Sequence, residues 1–286
     1  MAVGTFRESL GKKFNITVEI CPPKGVETRQ IIEKTRSLKG LVDALNVADS
    51  PMAHLRMSPI PLSYIIKKEL GIETIFHLTC RDRNIIGLQS ELLGAYALGL
   101  ENVFVITGDD PSVGDNPNAK PIFEVDAIGL IKLINKLNNG SDFAGNKLET
   151  RPNFLIGCAV NFNKAGEEER MKKKIEEGAL FFQSQIVYDA KVVEDFLSRI
   201  EKTKPIFVGT MPFNSWEMVQ YMDKYLPGIK IPEKTKSIMK NAKNVEEASA
   251  QIVLEFFDEI KGLVQGLHIM PLGDIELAKK IIKEIR

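Results

Sequence analysis

The chain of 286 residues carries 38 basic and 38 acidic side chains, so no net field draws it to nucleic acid or an anionic membrane, and an anionic ligand must be held by local groups. With 44% hydrophobic and 27% charged residues it can bury a sizeable core without a disulfide or a structural metal. No segment approaches the roughly 20 apolar residues of a membrane span, and residues 1–13 lack the apolar run of a secretory signal, so a cytoplasmic protein is expected, with Cys21, Cys80 and Cys158 as thiols.

Short β-rich apolar runs alternate with helical patterns along the whole chain, which predicts a parallel sheet with crossover helices. In order, the strand candidates are Phe14–Ile20, Leu41–Ala48, Thr74–Cys80, Asn102–Gly108, Asn153–Asn161, Leu180–Val187, Pro205–Phe213 and Gly266–Leu272. The clearest helical stretches between and after them are Asn84–Leu98, Ala127–Leu137, Glu167–Glu177, Val192–Glu201 and Glu246–Val264. Eight such units without a break in composition predict one α/β domain over residues 1–286, a closed (β/α)8 TIM barrel; a doubly wound sheet would stop at about five or six strands. No GxGxxG follows any strand, which also speaks against a dinucleotide fold of that kind. Residues 231–244 read as an inserted helix. The longest irregular segment, Asp109–Val125, follows the fourth strand, where a barrel keeps its active-site loops.

The carboxyl ends of barrel strands form the site, so polar residues there carry functional weight. In the first strand, alternation puts Ile16, Val18 and Ile20 against the helices and Asn15, Thr17 and Glu19 inside. An inward carboxyl in a dry setting has its charged form disfavoured, which prepares Glu19 to donate a proton; a rim ion pair is the alternative. His77 and Thr79 share a face of the third strand, Gly108, Asp109 and Asp110 follow the fourth, Asn161 ends the fifth, and Gln183 and Gln185 share a face of the sixth. A carboxylic acid, a further carboxylate, an imidazole and several amides around an apolar pocket suit a hydrogen-bonding heterocycle such as a pterin or a flavin.

Other barrel chemistries fit less well. A Schiff-base aldolase needs a lysine on a strand, and none of the eight strand interiors has one. A three-thiolate zinc site would need Cys21, Cys80 and Cys158 in phase, but Cys80 alternates against His77 and Cys158 against Asn161, so no metal is expected. The run Lys172–Lys174 reads as a solvated face unless a phosphate has to be bound, and His54 and His268 have no partner pattern.

The series Glu19-Ile20-Cys21-Pro22-Pro23, His77-Leu78-Thr79-Cys80, Gly108-Asp109 with Pro111, Gly178-Ala179, and Ser184-Gln185 with Asp189 resembles, in order and spacing, the motifs of methylenetetrahydrofolate reductases. The resemblance implies FAD as cofactor and hydride transfer from it to 5,10-methylenetetrahydrofolate, giving 5-methyltetrahydrofolate. It implies that Glu19 is the acid that protonates the departing folate nitrogen and that Asp109 lies beside both flavin and pterin rings. Gln185 matches a folate-binding amide and His77 a flavin contact. Glu167 and Lys174 match the groups that hold the ribityl and diphosphate portion, while Thr79, Thr107, Gly108 and Ala179 fall on cofactor-contact positions. Two departures are Thr107, where the family often has Arg, and Ala159, where it has Tyr. A third is Met222, where some members stack an aromatic on NADH, with Tyr221 and Tyr225 nearby. NAD(P)H or a donor protein therefore both remain as sources of electrons, and homo-oligomer and hetero-complex are both open. Two other readings stand beside this one: a pterin- or corrinoid-linked methyltransferase barrel, and a flavin subunit that works only with a partner.

Overall fold

In the computed structural model, which describes residues 5–225 and 228–286, eight parallel strands close into a barrel in sequence order. They are β1 (Asn15–Ile20), β2 (Ala44–Val47), β3 (Thr74–Thr79), β4 (Asn102–Ile106), β5 (Leu155–Val160), β6 (Phe181–Ile186), β7 (Ile206–Thr210) and β8 (Gly266–Ile269). Every one lies inside the run expected for it, trimmed where the apolar stretch passes into the adjoining loops. The helices Ile85–Ala97, Ala127–Asn138, Glu167–Glu176, Ala190–Leu197 and Val245–Ile260 cover the outside, and a further helix, Glu233–Asn241, lies between β7 and β8. The fourth of these runs earlier than its apolar pattern suggested. Asp189 caps it by accepting from the Lys191 N–H at 2.9 Å, and it ends at Leu197.

Strand alternation decides what faces where. Ile16, Val18 and Ile20 join the main core between sheet and helices, together with Cys80 and Cys158. The opposite phase fills the barrel in layers. At the amino end the filling is apolar: Ala44, Ile75, Phe104, Leu155, Phe181 and Phe207. A short helix, Phe6–Ser9, closes this end, held by a capping box between Thr5 and Glu8, and its Phe6 ring meets Phe181 and Phe207 edge-on at 5.5 and 6.0 Å. Four residues are too few for a helical period, so this plug was invisible in the sequence.

Gly157 makes room for the bottom layer, since a Cβ there would lie 2.2 Å from the Phe181 ring. Gly157→Ala is therefore expected to overpack the barrel and lower stability by about 1–3 kcal/mol. Gly262→Ala, where a Cβ meets nothing within 4 Å, is the control. Urea midpoints at unchanged slope would read both, and equal shifts would show that the ring can move aside.

Candidate active site

Above the apolar floor lies a polar layer contributed by Thr17, Asn46, His77, Gln183 and His268, all buried. The Asn46 amide donates to Gln183 Oε1 at 2.7 Å and to His77 Nε2 at 2.9 Å. Gln183 Nε2 in turn donates to Asn46 Oδ1 and Thr17 Oγ1, both at 3.2 Å, and Thr17 Oγ1 lies 2.9 Å from His268 Nδ1. Burial, eased for His77 by nearby Asp49, lowers its pKa to about 4; burial and the neighbouring imidazole lower that of His268 to about 3. Both rings are neutral in ordinary buffers.

Glu19 stands over this layer at the end of β1. Its side chain is 24% exposed and ringed by protein, 4.0 Å from His268 Nε2, and no hydrogen bond within the described residues reaches its carboxyl. Desolvation alone raises its pKa from 4.5 to about 7. The carboxyl thus holds its proton to higher pH than an ordinary glutamate.

A cavity of about 530 Å³ opens at the carboxyl end, with Glu19, His77, Thr107, Asp109, Glu167, Lys174 and Gln185 in its wall. Phe104, Ile106 and Ala159 supply apolar lining, and the His77 ring sits 4.9 Å from that of Phe104. A register shift between Gln183 and Ile186 marks a bulge in β6; there Ser184 Oγ accepts from the Gly209 N–H at 2.8 Å. Gln185 uses its Oε1 on the Phe162 N–H at 3.2 Å, whereas its Nε2 is buried without a partner among the described residues. A buried donor left unpaired costs free energy.

Across the barrel from β1, the loop and helix after β5 bring Lys164, Arg170 and Lys174 to the cavity. Lys174 and Glu167 form a buried pair at 2.6 Å, and the ammonium also donates to the Ala159 carbonyl at 2.7 Å. Among the described residues Lys164 has no ion-pair partner, so it adds uncompensated positive charge at this end.

Not every expected residue reaches the cavity. Thr79 is buried behind it, its N–H and Oγ1 each donating to Asp49 Oδ2 at 3.0 Å, so that Asp49, which the sequence reading passed over, takes the wall position. Gly108 supplies the turn: its φ is +90° and a Cβ would lie 3.1 Å from Thr79. Ala179 is a correction: it precedes β6 at the amino end, fully buried in the outer core, because the chain has already passed back under the barrel there. Asp109 accepts from the Met52 N–H at 3.1 Å, which ties the loop after β4 to the one after β2. Met222 is turned away from the cavity as well. It belongs to a satellite core with Phe213, Val219 and Met239, while Tyr221 and Tyr225 lie outside against each other at 5.2 Å; the amphipathic helix Trp216–Tyr225 turns none of the three to the cavity. Cys21 is exposed while Cys80 and Cys158 are in the outer core, and among the described residues no group of three or more His, Cys, Asp or Glu is placed to hold a metal ion. His268 and Asn46 were missed, yet the same alternation marks them: His268 lies between outward Leu267 and Ile269, Asn46 between outward Leu45 and Val47.

Solved structures share the fold at low identity. An EDTA monooxygenase from Chelativorans sp. BNC1 matches 96% of this chain and 94% of its own at a TM-score of 0.58 and 10% identity. The tryptophan synthase alpha-subunit of Pyrococcus furiosus matches 95% of this chain and 96% of its own at 0.52 and 10%. Among curated proteins, methylenetetrahydrofolate reductase 2 of Saccharomyces cerevisiae is 27% identical over 255 residues, covering 84% of this chain and 40% of that protein. A probable NADPH-dependent methylenetetrahydrofolate reductase of Caenorhabditis elegans is 23% identical over 231 residues, covering 75% and 32%. The chain thus spans 32 to 40% of the length of these relatives. The family model for methylenetetrahydrofolate reductase matches residues 5–286, essentially the whole barrel with its site, and the chain belongs to that family.

Proposed function

We propose that this barrel reduces 5,10-methylenetetrahydrofolate to 5-methyltetrahydrofolate, with FAD bound at the carboxyl end of the strands. The observation that carries the reading is Glu19: a carboxyl with a pKa of about 7, without a hydrogen bond among the described residues, facing a cavity whose Gln185 amide has no acceptor among them either. Bound FAD would supply the hydride for the folate methylene carbon. The fit of the dinucleotide is supported by the apolar lining around Phe104, the Gln185 donor that has no partner among the described residues and the positive charge at Lys164. Lys174 and Glu167 would line its diphosphate and ribityl portion. His77 and Asp109 would lie against the flavin, and Gln185 and Asp109 would orient the pterin. Glu19 holds the proton for the folate nitrogen that departs when the five-membered ring opens. Protein purified with the absorbance of an oxidised flavin, or taking up one FAD per chain on reconstitution, is the expected result; a barrel that stays colourless with excess FAD would remove the cofactor and with it the reduction.

The electron donor is NAD(P)H or a protein. No aromatic of the helix Trp216–Tyr225 is turned to the cavity to stack on a nicotinamide, so NADH alone is expected to bleach the flavin slowly or without saturation. Stopped-flow traces that bleach fast and saturate at micromolar NADH would contradict this.

The pH dependence has a defined sign. Glu19 acts in its protonated form and its pKa is about 7, so the folate half-reaction should be level below that pH and fall about tenfold per unit above it. His77 and His268, at about 4 and about 3, are silent in this window. A folate half-reaction level up to pH 9 would mean that the proton has another source.

A further inference from the structure

The five polar residues under Glu19 form a chain of hydrogen bonds with a direction. Both N–H groups of Asn46 are used, one on Gln183 Oε1 and one on His77 Nε2, so His77 presents a lone pair at Nε2 and carries its proton on Nδ1. Both N–H groups of Gln183 are used as well, one on Asn46 Oδ1 and one on Thr17 Oγ1. Thr17 accepts from Gln183, and among the described residues His268 Nδ1, 2.9 Å away, is the acceptor left for its own proton. That assigns the His268 proton to Nε2, the atom that faces Glu19 Oε2 at 4.0 Å.

We propose that His268 is the positioning residue of Glu19, held by the Thr17, Gln183 and Asn46 chain in the tautomer that turns an N–H, not a lone pair, toward the carboxyl. The inference rests on the reading of Glu19 as the proton donor. A lone pair at Nε2 would draw the carboxyl proton down toward the barrel floor and hold it there. An Nε2–H offers the protonated acid nothing to donate to, which leaves its O–H directed at the cavity. Once the proton has gone to the folate nitrogen, the same N–H faces the new carboxylate and can close on it as a donor. The imidazole thus favours the product side of the proton transfer without taking part in it, and its neutrality in the buried layer keeps positive charge away from the acid.

The tautomer can be read directly in the flavin-loaded wild-type protein by nitrogen–proton correlation spectra of ¹⁵N-histidine. The three rings are separated by assignment variants, and His54 stands apart as a half-buried loop residue. His268 protonated on Nε2 alone at pH 7.5 is expected; protonation on Nδ1, or on both nitrogens, overturns the proposal. His268→Gln, whose amide can place an N–H near the position of Nε2, should keep the folate half-reaction close to wild type, whereas His268→Leu should slow it about tenfold with flavin reduction unchanged. Equal loss in both variants, or equal loss in both half-reactions, would reduce His268 to a packing residue. The reading of Glu19 is tested separately by Glu19→Gln: if that variant keeps the wild-type folate rate, the acid reading fails while the tautomer result stands on its own.

Discussion

Replacing Glu19 by Gln is expected to leave the flavin reducible by a suitable donor and to slow its reoxidation by methylenetetrahydrofolate by about 10²- to 10⁴-fold, equivalent to roughly 3 to 5 kcal/mol of barrier. Reduction of the cofactor requires no proton on the folate nitrogen, so the two half-reactions separate. Gln has nearly the size of Glu, and no hydrogen bond among the described residues depends on this carboxyl, so the fold should survive. Burial without a counter-ion is what keeps the proton on Glu19 at neutral pH, and an amide cannot supply it. Rapid-mixing traces for each half-reaction would show the separation. If Glu19→Gln is reoxidised as fast as the wild type, the carboxyl is structural and Asp109, also in the cavity wall, is the next donor to examine.

The second large effect concerns Lys174. Its ammonium is paired with Glu167 at 2.6 Å, and the two side chains are 6% and 4% exposed, so the pair lies in a nearly dry setting. Removing one partner strands the other charge. Lys174→Ala should lower stability by about 3–5 kcal/mol, because Glu167 would be left with only Arg170, 3.7 Å away and partly solvated. The double variant Glu167→Gln, Lys174→Met should recover most of the loss, since it removes both charges and keeps the volume. Urea unfolding of the flavin-free forms isolates this effect from binding. Equal losses in the single and double variants would mean that packing, and not charge pairing, is what Lys174 contributes. FAD affinity, measured on the double variant, should also fall, because one of the cations near the diphosphate is gone.

Much of this protein could be read from its residues. Alternation in β1 was enough to set Ile16, Val18 and Ile20 outward and Thr17 and Glu19 inward, because a strand between a helix layer and a barrel interior has only two faces. Repetition of the strand and helix patterns fixed the closed barrel. That His77, Asp109 and Gln185 line the cavity has a related reason: each is polar toward the carboxyl end of a strand, where an apolar core has no use for it.

What escaped the sequence depends on contacts between distant segments. The Phe6 plug, the exchange of Thr79 for Asp49 in the wall and the turn of Met222 into a satellite core are settled by which neighbours close over a side chain, and no local period encodes them. The amide and imidazole layer joins β1, β2, β3, β6 and β8, residues up to 251 positions apart. By itself the sequence determined the barrel and the inward acid; only the tertiary structure decided what the acid faces, because hydrogen-bond direction across a barrel exists only once all its strands have closed.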